Sequence, residues 1–97
     1  MLPNLLVGQK VVGTVWEKDA NGVQFAPPPD NITVSSSDTN KLTIVNNGDG
    51  TVTATGVAPG PVSVTIGDKQ YPAVVDTEQG TVADVPTSIG VDWGTPQ

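Results

Sequence analysis

Residues 42–66 read LTIVNNGDGTVTATGVAPGPVSVTI. Thr51 to Thr55 alternates around Val52 and Ala54, and Val62, Val64 and Ile66 alternate with Ser63 and Thr65. A period of two sends apolar side chains to one face and hydroxyls to the other, the pattern of a half-buried strand. Leu42 to Val45 is a third apolar and β-branched run. The joints are Asn46–Gly50 and Gly56–Pro61, built from residues that tolerate turn conformations. The stretch therefore predicts three strands in succession, joined by short turns.

The same reading extends outward. NITVSS (31–36) puts Ile32 and Val34 on one face, and Asp38-Thr39-Asn40 is a turn. QKVVGTVW (9–16) aligns Val11, Gly13 and Val15. EKDANG (17–22) ends in Asn21-Gly22, a strong hairpin signal, and Val23–Phe25 resumes a strand. Pro27-Pro28-Pro29 lacks amide donors and predicts a crossover or an edge segment. Towards the C-terminus, Tyr71–Val75 predicts a strand, Glu78–Gly80 a turn and Thr81–Val85 the last sandwich strand. Beyond Pro86, TSIGVDW (87–93) predicts one more strand, with Ile89, Val91 and Trp93 on one face.

Sixteen valines and twelve threonines favour sheet, and eleven glycines and nine prolines favour frequent turns. Seven to nine short strands at roughly ten-residue intervals predict an all-β, immunoglobulin-like sandwich. The 97 residues suit one domain, 1–97. Residues 1–8 are an N-terminal arm or lead-in strand, and 87–97 a C-terminal strand or tail. Trp16 and Phe25 are expected to fill the core.

Net charge is −6, with four lysines and no arginine. This argues against nucleic-acid binding and against anionic membrane surfaces, both of which need a basic footprint. No apolar run approaches the ~20 residues that cross a bilayer, and no secretion signal is read at the start. With no histidine and no cysteine, the commonest general base and the thiol nucleophile are missing. The acids fall mostly in turn-like segments, so no facing carboxylate pair is expected, and no catalytic residue is assigned. No cofactor and no metal site is expected either. The oxygen-rich Asp19–Gly22 and Asn46–Gly50 lack the ligand spacing of a calcium loop and read as turns. Asn31-Ile32-Thr33 matches a glycosylation sequon but reads as the start of a strand.

Residues Ser35–Asp38, Leu42–Val45, Gly48–Gly56 and Gly60–Ile66 resemble group 2 bacterial immunoglobulin-like domains, with their "VTA.G" and "G…V.VT" strands. The likeness is close over about a third of the chain. Thr33-Val34 stands where that family has Trp, and Pro61 where it often has Thr or Ala. The frame, with Asp19–Gly22 and the ending Thr87–Pro96, resembles short immunoglobulin-like virion proteins of tailed bacteriophages. That resemblance implies capsid decoration, a capsid or other virion partner or self-association, weak glycan binding and a place on the virion. The alternatives are a carbohydrate- or surface-binding adhesin module at the bacterial cell surface, and a structural spacer domain. The partner-binding candidates are the apolar ends: Leu5 and Leu6 in the N-terminal segment, and Ile89, Val91 and Trp93 in the C-terminal one.

Overall fold

The computed structural model describes residues 1–96. Its strands are β1 (Leu5–Leu6), β2 (Lys10–Thr14), β3 (Glu17–Lys18), β4 (Gln24–Phe25), β5 (Ile32–Ser36), β6 (Leu42–Asn46), β7 (Thr51–Gly56), β8 (Gly60–Asp68) and β9 (Val75–Ala83). A single 3-10 turn, Pro29–Asn31, leads into β5.

Two sheets stack. One has the order β1-β9-β8-β5 and the other β2-β7-β6. β3 and β4 form a separate hairpin on the connection from β2 to β5. In the constant-type immunoglobulin sandwich the sheets read A-B-E-D and C-F-G. Taken in chain order, β2, β7 and β6 hold the B, E and D places, while β5, β8 and β9 hold C, F and G. β1 departs from that plan. It pairs with β9 in parallel, Leu5 opposite Val82 and Leu6 opposite Ala83, and then crosses to the other sheet through Gly8. Gly8 has φ +86°, a conformation that favours glycine. Among the described residues, no strand lies at the A place beside β2.

The stretch 42–66 forms the middle of this structure, as its alternation predicts. β7 runs antiparallel to β6, with Ile44 opposite Ala54, and its side chains alternate between half-buried and buried. The β6–β7 turn closes through the Asn47 amide, which donates to the Thr51 carbonyl. Gly48 and Gly50 carry the positive φ angles the turn needs. Leu42, Ala54, Val62, Val64 and Val82 bury against Leu2 and Leu5 to make the core. Each Leu or Val so buried contributes about 1.5–3 kcal/mol relative to exposure. Asn46 locks the β5/β6 side: its Nδ2 donates to the carbonyls of Pro29 and Ile32 at 3.2 and 3.1 Å.

Several expectations need correction. Glu78–Gly80 is not a turn but the middle of β9, paired residue for residue with Val64–Val62. Long-range pairing with β8 overrides the turn propensity of glycine there. A Cβ on Gly80 would stand 2.7 Å from Cδ2 of Leu2, so that glycine makes room for a core side chain. Tyr71–Val75 is loop up to Val74, where Pro72 removes a ladder donor. Trp16, just before β3, and Phe25, in β4, are exposed rather than in the core, because the β3–β4 hairpin stands outside both sheets. Thr87–Trp93 forms no strand; residues 84–96 are irregular and exposed, and the expected tail's last residue, Gln97, lies outside the described residues. The molecule measures 72 × 26 × 21 Å, elongated for a sandwich of short strands.

Candidate functional site: an open edge, a cleft and a tail

The two sheets meet tightly where Asn46 bridges β6 to β5. They stay apart on the opposite side, between β2 and the start of β9. The opening there is two adjoining hollows of about 220 and 460 Å³. They share Gly13 of β2, Val52 of β7, Ile66 of β8 and Glu78 of β9. The inner wall is therefore made of core-facing residues left partly uncovered. Met1, Leu2 and Pro3 line one end, and Trp16, Glu17 and Lys18 the other.

Gly13 shapes the floor. A Cβ built there meets only Cγ2 of Val52, at 3.8 Å. Its φ is not positive, so backbone geometry does not require a glycine. The missing side chain leaves space. β2 has β7 as its sole ladder partner among the described residues, so its outer edge presents unpaired backbone groups.

The sequence candidates separate into two groups. Leu5 is 3 % exposed and belongs to the core, so in this fold its side chain is committed inside the chain. Residues 1–8 take the lead-in-strand form rather than that of a free arm. Leu6, the next residue, is 45 % exposed. Ile89, Val91 and Trp93 are 100, 66 and 87 % exposed, on a segment that lies on neither sheet. The structure thus does not bring the two ends together into one patch. Alternation of single residues could not reveal the cleft, because it arises from a strand place left unfilled.

The cleft's rim is acidic, and here the expectation that acids avoid strands fails. Asp76 and Glu78 lie two apart on β9, on one face of the strand. Glu78 is held below the usual glutamate range, first by its bond with the Met1 ammonium, 2.8 Å away, and then by Asp76. Asp76 is pushed up, chiefly by its hydrogen bond to Glu78 and then by burial. A second pair joins β3 to the end of β8. Glu17 is pushed up, first by the hydrogen bond it donates to Asp68. For Asp68, burial works upward. The bonds it accepts from Glu17 and from the amides of Tyr71 and Gln70 outweigh that and leave it lowered. Lys18 lies 5.4 Å from the Trp16 ring centre at the same rim. Among the described residues no group of three acids is placed to hold a metal ion. The Asp19 carboxylate instead accepts the amides of Asn21 and Val23, as turn chemistry demands.

No family model matches the chain. No curated protein matches it either. Among solved structures it is similar to domains 4 and 5 of the S-layer protein SbsC, with 28% sequence identity and a TM-score of 0.66. That likeness covers 82% of this chain and 40% of the S-layer chain, so this chain spans less than half the length of its structural neighbour. The likeness agrees with a β-sandwich.

Proposed function

We propose that this chain is a non-catalytic structural unit of an ordered protein surface, a sandwich that spaces and joins rather than transforms. The observation that carries this reading is the likeness, over most of the chain, to domains of a surface-layer protein. The chemistry of the chain is in keeping with it. Histidine and cysteine are missing from the sequence. The perturbed carboxylates stand as hydrogen-bonded neighbours, Glu17 with Asp68 and Asp76 with Glu78. An acidic surface keeps such units soluble and apart until specific edges meet.

A second, finer reading places the unit on a bacteriophage capsid as a decoration protein. It is favoured by the ending Thr87–Pro96, which resembles that of short virion proteins, and by the exposure of Ile89, Val91 and Trp93. Immunogold labelling against the chain tests both readings, on intact producing cells and on particles purified from the same culture. Label over the outer cell surface supports the layer reading, and label on particles supports the virion reading. Label confined to the soluble interior fraction contradicts both.

A further inference from the structure

The unfilled A place beside β2 and the unpartnered 87–93 segment complement each other. We infer that residues 87–93 of one copy dock as an added strand beside β2 of a second copy, closing its cleft. This goes beyond the surface role and does not depend on it.

Four features of the two partners agree. The first is periodicity. Ile89, Val91 and Trp93 fall on one face of an extended chain, and the cleft offers one apolar face made by Val52 and Ile66 across the space at Gly13. The second is backbone capacity. No proline interrupts 87–93 or β2, so neither segment lacks an amide donor, and the outer edge of β2, away from β7, can take a ladder. The third is length. Seven extended residues span roughly 23 Å against roughly 17 Å for the five of β2. The fourth is charge. The single charged residue of 87–96 is Asp92, which alternation sets opposite the apolar row. On an added strand it would share the outer face with Lys10, Val12 and Thr14 of β2, where Lys10 supplies the opposite sign.

Geometry favours a second copy over the same chain. The tail leaves β9 at Ala83, whose free side is already taken by Leu6 of β1. Met1 and Leu2 then lie between that point and the open part of the cleft, with Leu2 packed over Gly80. A tail folding back on its own body would have to displace this segment and the ion pair from Met1 to Glu78. A neighbouring molecule's tail meets no such barrier. Because donor segment and acceptor edge are different surfaces, the contact is head-to-tail, and it propagates unless the rotation closes a ring.

Sedimentation velocity of the full chain, from low micromolar to millimolar, tests the inference. The expected result is a sedimentation coefficient that rises with concentration. Trp93→Ala should weaken association about thirtyfold, as for a central aromatic anchor. Gly13→Leu should abolish it by filling the acceptor space. Should Gly13→Leu lower the unfolding midpoint, Ile89→Asp on the fully exposed tail replaces it as the blocking variant. A full chain that stays monomeric throughout overturns the inference, as does association unchanged by the Trp93 variant and by the blocking variant. A monomer whose tail amides are protected from exchange shows the tail on its own body, and also overturns it. Each of these failures leaves the immunogold test of the surface role untouched.

Discussion

A Cβ built on Gly56 would stand 2.6 Å from the carbonyl oxygen of Leu6 and 3.2 Å from Cγ1 of Val82. The Gly56 carbonyl accepts the Gly8 amide at 2.9 Å, and its amide donates to Gln9 at 3.0 Å. This glycine is where β7 of one sheet meets the crossing segment that begins in the other. Backbone atoms cannot step aside as a side chain does. Gly56→Ala should destabilise the fold by about 1–3 kcal/mol. Urea unfolding followed by circular dichroism measures it, and an unchanged midpoint would show that the two sheets are not held this closely.

The Asn46 side chain makes three hydrogen bonds: two from Nδ2 to the carbonyls of Pro29 and Ile32, and one accepted by Oδ1 from the Gly48 amide. Asn46→Ala should cost about 1–3 kcal/mol through the carbonyls it leaves unpaired. Asn46→Asp should cost more at neutral pH, because a carboxylate would face two carbonyl oxygens. Finding Asp better tolerated than Ala would contradict this bridge.

Glu17 and Asp68 set a pH dependence whose sign can be worked out. Glu17 is raised in the folded state, so its contribution is favourable below its unfolded value and is lost as pH climbs through the folded one. Asp68 is lowered, so its contribution is present at neutral pH and is lost as pH falls through its folded value. Glu17→Gln removes the group that resists ionisation and retains a donor towards Asp68. The variant should therefore be more stable than the parent at neutral pH, with the gap shrinking as pH drops through the carboxylate range. Thermal melts across that range would detect the trend. A gap that widens in acid reverses the assignment.

Both tryptophans are exposed, Trp16 at 53 % and Trp93 at 87 %. In dilute solution their fluorescence should resemble that of the unfolded chain in wavelength. Trp93→Ala should shift the unfolding free energy by no more than about 0.5 kcal/mol, as surface substitutions do. A clearly blue-shifted native spectrum, or a large loss of stability in that variant, would place Trp93 inside a core.

The legible and illegible parts of the chain differ for a physical reason. Val52, Ala54, Val62 and Val64 announce themselves because each strand has one buried and one hydroxyl face, and a period of two is visible locally. Asn46–Gly50 is legible because its turn needs left-handed φ at Gly48 and Gly50, and the Asn46 side chain accepts the Gly48 amide. Glu78–Gly80 misleads: its local signal is a turn, and only pairing with Val62–Val64 makes it strand. Trp16 and Phe25 mislead in another way. Aromatic size suggests a core, but whether a hairpin packs into a sandwich or stands beside it depends on residues far away in the chain. The apolar ends were visible as candidates, yet Leu5 and Leu6, adjacent in sequence, part ways because β1 turns one inward and the other out. The cleft beside β2 has no local signature beyond Gly13, since its cause is the pairing of β1 with β9.

Amide hydrogen exchange, followed residue by residue in dilute and concentrated solution, tests the account most directly. In dilute solution the amides of β7 and β8 should be the best protected, while residues 84–96 and the outer edge of β2 exchange freely. On concentration, β2 and residues 87–93 should gain protection together, with the rest of the sandwich unchanged. Protection of 87–93 already present in the dilute monomer, or none gained in either segment at high concentration, would contradict an open β2 edge completed by a neighbour's tail.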